Sequence, residues 1–351
     1  MVMCQLSCQF LATPLQVGKS LPTSLHLPRF LKSESFPGAS TGVLRCSTET
    51  EVSESRNRMF ILGMGFVGQF FAQDLKNHGW VVSGTCTSAF KKKKLEERGF
   101  NIYLFDANEP ELGVLNALKY STHLLVSIPP VVGIGDPILQ HDEFLKSRIM
   151  DGDLQWLCYL SSTSVYGNCG GELVDEDYPA SPASESAKLR LAAEKGWSSL
   201  GSELGLSTQI FRLGGIYGPG RSAVDTIIKQ GPLTEGQRKR ISRQYTSRVH
   251  VADICQALKA TIQIPSVGKI YNIVDDDPAP RAQVFAFARD LIEKKWPNHI
   301  KESVFPGSAR KAEKRVSNAR MKKELGVTLL HPTYRSGLQS IIDNMENPIS
   351  K

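Results

Sequence analysis

The 351-residue chain has no C-x-x-C pair. Its seven cysteines (Cys4, Cys8, Cys46, Cys86, Cys158, Cys169 and Cys255) are scattered and odd in number, which argues against a disulfide framework or zinc site and for reduced, mostly buried thiols. No apolar run approaches the ~18–20 residues of a membrane-spanning helix, so no helical span and no membrane partner are expected. The basic residues lack interleaved aromatics, and no nucleic-acid-binding module is recognisable, so nucleic acid is an unlikely partner despite a formal charge of +7. Acids are scarce at the start. Residues 1–48 hold Lys19, Arg29, Lys32 and Arg45 against Glu34 alone, in a setting rich in Ser, Thr, Leu and Pro.

That composition predicts a leader over residues 1–56, a transit peptide with a linker, rather than folded structure. Val43-Leu44-Arg45-Cys46 resembles a plastid processing site, so a chloroplast destination is expected, with the mitochondrion second. Over the whole chain, 41% hydrophobic and 22% charged residues are ordinary for a globular protein.

The chain is organised around Met59–Leu62, a short apolar run suited to a buried strand, and the Gly63, Gly65, Gly68 pattern that follows it. In G-x-G-x-x-G the first glycine makes the tight turn, the second lets backbone approach a pyrophosphate, and the third lets helix pack on strand. Phe66 and Val67 open the helix whose positive end would face that pyrophosphate. Further strands are expected at Trp80–Gly84, 102–105, 122–127, 156–160 and 208–213, alternating with helices, one of which Pro137 starts and which runs to Met150. This alternation predicts an α/β Rossmann fold: a doubly wound parallel sheet in a domain over 57–213. A smaller C-terminal substrate-covering region follows over 214–351. It holds helices at 252–262, near 284–295 and at 331–344, and a strand near 270–274 that returns to the sheet.

The second strand ends Ser83-Gly84-Thr85-Cys86-Thr87-Ser88, without the carboxylate that usually receives the NAD ribose 2′-hydroxyl. Thr85 and Ser88, followed by Lys91–Lys94, favour NADP, with NAD the alternative. Lys93 and Lys94 read as a solvated face. Asp106, ending the third strand, would accept from an adenine amino group or be a plain surface-loop aspartate. Ser127 and the prolines after it end the fourth where the cofactor's ribose would lie.

Leu160-Ser161-Ser162-Thr163-Ser164-Val165-Tyr166-Gly167, Phe211-Arg212-Leu213-Gly214-Gly215-Ile216-Tyr217-Gly218-Pro219-Gly220 and Arg248-Val249-His250-Val251-Ala252-Asp253-Ile254 resemble the extended short-chain dehydrogenases/reductases. Over residues 58–340 the chain looks like an atypical branch, similar to the bacterial YeeZ-like group of NAD(P)-binding, epimerase-like proteins. The resemblance implies a Ser162 that hydrogen-bonds a substrate oxygen and a Tyr-x-x-x-Lys pair for acid–base work. The pair is missing, since none of the nine tyrosines has Lys four residues later. In the register set by Glu194, Ser186 replaces the tyrosine and Arg190 the lysine. Arg190 would still hold ribose hydroxyls or a phosphate.

Tyr166 is the substitute acid, with pocket shaping as its alternative role; His250 reads as structural and Lys188 as solvated. Extended members bind anionic substrates and often dimerise, so an anionic small molecule and a homodimer are expected. Arg238-Lys239-Arg240 with Arg243, and Lys311, Lys314, Arg315 and Arg320, are the basic clusters that would meet such a substrate or simply face solvent. Two functions stay open: an NAD(P)-dependent oxidoreductase or epimerase-like enzyme, and a non-catalytic NADP-binding sensor or assembly protein.

Overall fold

The computed structural model describes residues 57–229, 245–298 and 313–346. The leader, the Arg238–Arg243 cluster and Lys311 lie outside the described residues. In β1 (Arg58–Leu62), Met59 and Ile61 enter one apolar layer and Phe60 and Leu62 another, because successive side chains leave a strand on opposite faces. A strand buried on both sides requires helices on both sides. Along the chain follow α1 (Phe66–Asn77), β2 (Val81–Cys86), α2 (Ala89–Glu96), β3 (Asn101–Leu104), β4 (His123–Val126), α3 (Asp142–Met150) and β5 (Trp156–Ser162). Next are β6 (Leu173–Val174), α4 (Glu185–Glu203), β7 (Ser207–Leu213), β8 (Gly215–Tyr217), α5 (Ala223–Ile228) and β9 (Arg248–His250). Then come α6 (Val251–Gln263), β10 (Lys269–Ile273), α7 (Arg281–Lys295), β11 (Arg315–Val316), α8 (Ala319–Leu325) and α9 (Tyr334–Asp343).

Seven strands form one parallel sheet in the order β10-β7-β5-β4-β1-β2-β3, the Rossmann arrangement with one strand added beyond the sixth. The order reverses between β1 and β4, and the crevice outside the carboxyl ends there is where open α/β sheets bind ligands. Val67, Phe71 and Leu75 of α1 and Ile254 and Leu258 of α6 cover one face. Leu145 and Ile149 of α3 and Trp197 and Leu200 of α4 cover the other. A separate core of Val224, Phe285, Ile292, Leu338 and Ile341 joins α5, α7 and α9.

Several expected boundaries differ, three of them for a clear local reason. β2 begins at Val81 and runs on to Cys86, because pairing with β3 continues through Thr85 and Cys86. Pro137 does not start the helix that reaches Met150. The Asp136 carboxylate accepts from the Ile138 and Leu139 amides at 3.0 and 3.1 Å and starts a 3₁₀ turn at Leu139–His141, so α3 begins only at Asp142. The last helix begins at Tyr334 rather than 331, after a capping box between Thr333 and Ser336. Cys86, Cys158, Cys169 and Cys255 are free and buried. No helix among the described residues is long and apolar enough to cross a membrane.

His123, on central β4, is buried beside the Trp80 ring at 4.8 Å and within 2.8 Å of Thr122 Oγ1, and burial holds its pKa down to about 4. The unfolded chain, with an ordinary histidine near 6.5, takes up this proton first as pH falls. Stability is therefore lost between about pH 6.5 and 4, by an amount on the order of 3 kcal/mol from this group. Denaturation at a series of pH values should show a shallower acid-side decline for His123→Gln than for the wild type.

Candidate functional site

Two of the three fingerprint glycines, Gly63 and Gly68, are forced by geometry. Gly63 has a φ of 97°, and a Cβ there would meet Ile128 Cγ1 at 3.0 Å. A Cβ on Gly68 would stand 2.6 Å from the Gly63 carbonyl oxygen. Gly65 faces open space, its nearest neighbour to such an atom being Gly63 O at 3.9 Å. No side chain caps α1, whose first residues are Phe66 and Val67. The backbone there has room and unsatisfied donors for an anion.

Thr85 has a different task from the one expected. Only 1% exposed, it accepts the Gly63 N–H on Oγ1 at 2.9 Å, while its carbonyl accepts the Met64 N–H at 2.7 Å. It clamps the fingerprint loop from β2. Ser88 caps α2 by accepting the Lys91 N–H at 3.3 Å. Of the lysines that follow, Lys92 faces Glu96 at 3.6 Å and Lys94 lies over the Phe90 ring. Asp106 is exposed and accepts from the Asn108 amide and side chain, contacts that lower its pKa. Ser127 ends β4 against Gly63, donating its N–H to Leu62 O at 2.8 Å.

A cleft of about 890 Å3 opens beyond the carboxyl end of β5, with Ser162 and Arg190 both in its wall. Ser162 Oγ accepts the Ser164 N–H at 3.1 Å, which keeps the hydroxyl's own proton available to a ligand. Arg190, from α4, donates to the Leu160 carbonyl at 3.5 Å. Among the described lining residues, Arg190, Arg221, Lys229, Arg248, Arg281 and Lys314 face two acids, Asp225 and Glu313. Of the second basic cluster only Lys314 lines this wall. Arg315 donates to Gly171 O at 3.1 Å, and Arg320 pairs with Asp177 at 2.5 Å. Ser186 is exposed and beside Ser184. Lys188 is exposed too, as expected.

The structure does not bring Tyr166 into the cleft wall. It is fully buried, donates to Asn272 Oδ1 at 2.8 Å, and has the Arg212 guanidinium 4.8 Å from its ring centroid. Burial pushes the phenol's pKa up, with Arg212 pulling the other way, the reverse of what acid–base work at neutral pH needs. Beneath it lies an ion pair that sequence reasoning missed. Arg212 donates to Glu194 from Nη2 at 2.8 Å and from Nε at 3.2 Å, and Ser161 Oγ donates to the same carboxylate at 2.5 Å. The signal was present, because a charge between Phe211 and Leu213 in a buried strand needs a buried partner.

His250 is structural. Its Nδ1 accepts the Ala252 N–H at 3.2 Å, the His331 ring lies 4.0 Å away, and burial with that neighbour holds its pKa down to about 4. Arg248 is buried and donates to the carbonyls of Asp277 and Ala279, while burial raises the pKa of the nearby Asp275 to about 8. No cluster of His, Cys, Asp and Glu among the described residues has the form of a metal site.

A parallel sheet of this order, with the glycine turn at its switch point, is the architecture of the NAD-dependent epimerase/dehydratase-like Rossmann proteins, and the chain shares that fold. The chain is a homologue of the Escherichia coli protein YeeZ, 29% identical over 282 residues that cover 78% of this chain and 96% of YeeZ. A functionally unknown conserved protein from Silicibacter pomeroyi is 31% identical, with a TM-score of 0.67 over 83% of this chain and all of that one (100%). UDP-glucuronic acid 4-epimerase from Bacillus cereus, solved in complex with NAD, shares the fold at 17% identity, with a TM-score of 0.64 over 82% of this chain and 96% of its own. No protein-family profile matches the chain.

Proposed function

We propose that the protein is an NAD(P)-binding, epimerase-like oxidoreductase that holds a dinucleotide on the 63–68 loop and an anionic small molecule in the adjoining cleft. The observation that carries this is the open, uncapped cradle at Gly65, fixed from behind by Thr85 and by the Gly63–Gly68 contact. The residues present fit a dinucleotide. The Phe66 and Val67 amides would hold its pyrophosphate over Gly65, and Arg190 would hold ribose hydroxyls or a phosphate. When bound, the nicotinamide supplies hydride chemistry. The chain's own contribution at the reacting end is the Ser162 hydroxyl, which donates to a substrate oxygen, and a basic wall that attracts negative charge. The NAD held by the structurally similar epimerase supports the reading.

The absence of a carboxylate at Cys86-Thr87-Ser88 supports NADP over NAD. Titration of the purified protein with each reduced cofactor should give tighter binding of NADPH; tighter NADH binding would reverse the preference. The same sample, saturated with NADPH, should oxidise it when given a carbonyl or nucleotide-sugar substrate, and Ser162→Ala should slow that turnover.

The second reading, a non-catalytic NADP-binding sensor or assembly protein, is supported by the buried Tyr166 and by Ser186 in the place of the usual tyrosine. Clear cofactor binding without turnover of any candidate would favour it.

A further inference from the structure

We infer that Arg221 is a phosphate clamp, reaching the fingerprint from the cleft wall to grip the pyrophosphate of the dinucleotide. The inference rests on the reading above that a dinucleotide occupies the cradle. It assigns a second, side-chain contact to a group that the glycine loop would hold through backbone alone.

The segment Tyr217–Arg221 is a tight turn closed by two reciprocal backbone bonds, Gly218 N–H to Arg221 O at 3.1 Å and Arg221 N–H to Gly218 O at 3.0 Å. The turn is pressed onto the first helix. A Cβ on Gly218 would meet Val251 Cγ1 at 2.6 Å and Phe66 Cζ at 3.3 Å. Only glycine permits that approach, and its result is to set the Arg221 guanidinium 5.3 Å from the Phe66 ring centroid. Arg221 thus belongs to the cleft wall and touches the fingerprint at once.

Its electrostatic position is unfavourable without an anion. Phe66 is the first residue of α1, a 12-residue helix whose N-terminus has no side-chain cap and no acid in its first turn. A helix N-terminus carries partial positive charge and disfavours a neighbouring cation. Arg221 is exposed, and no ion pair joins it to an acid of the described residues. The acid closest in sequence is engaged: Asp225 accepts from Ser222 Oγ at 2.5 Å and lies in the first turn of α5. Two positive ends therefore converge without a counter-charge between them. A pyrophosphate supplies it, since a phosphoryl group takes a guanidinium bidentately and helix amides at the same time. Stacking on Phe66 suits arginine in particular, because a guanidinium held against a ring keeps its in-plane N–H donors available.

The dinucleotide alone, with no cleft ligand, is the probe that separates this role from binding a phosphate of the cleft's own substrate. Fluorescence titration of the full chain with NADPH should show Arg221→Ala weakening affinity at least tenfold, with Arg221→Lys recovering part of the loss. Adenosine, which has no phosphate, should bind both forms equally, and the unfolding midpoints should coincide because the side chain is exposed. Equal NADPH affinity in wild type and Arg221→Ala overturns the clamp alone. An equal loss for adenosine also overturns it, by showing a merely structural role. A wild type that binds neither NADPH nor NADH overturns both the clamp and the function proposed above.

Discussion

Replacing Glu194 with alanine is expected to destabilise the fold by about 3–5 kcal/mol, the cost of leaving a buried charge without its partner. Glu194 is 3% exposed and Arg212 4%. The guanidinium would keep its place between Phe211 and Leu213 while losing the carboxylate that faces it, and Ser161 would lose its acceptor. Urea denaturation should show a lower midpoint with an unchanged slope. Replacing both partners together, Glu194→Leu with Arg212→Met, should cost much less than the sum of the single changes. Removing both charges abolishes the desolvation penalty along with the attraction. If Glu194→Ala unfolded at the wild-type midpoint, the pair would not be the support on which the segment after β5 rests.

The second large effect is on binding. Gly68→Ala places a methyl group 2.6 Å from the Gly63 carbonyl oxygen, and backbone cannot swing aside as a long side chain can. Either α1 shifts outward or the turn at Gly63 opens, and both move the amides that define the cradle. Overpacking of this kind costs about 1–3 kcal/mol in stability. Dinucleotide affinity should fall by more, at least a hundredfold, since the Phe66 and Val67 amides lose their common focus. Paired measurements of the unfolding midpoint and NADPH titration would separate the two; wild-type affinity in Gly68→Ala would remove the loop from the binding site.

The central sheet was legible because β1, β4 and β5 are largely apolar runs ending at glycine or serine, and burial on both faces demands that pattern. The glycine turn was legible because Gly63 and Gly68 each answer a steric need. The two-residue strands β6 and β11 have no period to read, and their pairing is set by chain that meets only in space. The 3₁₀ segment Leu112–Tyr120 carries Val114, Leu115 and Leu118 at spacings that suit either helix type. Proline at a helix start is a real signal, yet at Pro137 the carboxylate of Asp136 captured the amides first.

In the site, the structure places Ser162 and Arg190 in the wall of one cleft, because helix register and strand end fix both. Thr85 and Tyr166 show the limit. A hydroxyl at a strand's end reads the same whether it meets a ligand, as Thr85 was expected to do, or holds the adjacent loop, as it does. Tyr166 could be assigned only once Asn272, 106 residues away, came within reach.

Asn272 also has a mechanical consequence. Its side chain accepts the Tyr166 hydroxyl, and its backbone N–H donates to Glu176 Oε1 at 2.7 Å. Among the described residues, β10 is the outermost strand on its side and pairs only with β7. An outer strand held by ladder bonds alone opens first and cheaply. Here peeling β10 away would also tear out a buried phenol bond from beyond β5 and strip a buried carboxylate of its donor. This border of the sheet is thus riveted to its interior, and it comes apart with the whole or not at all.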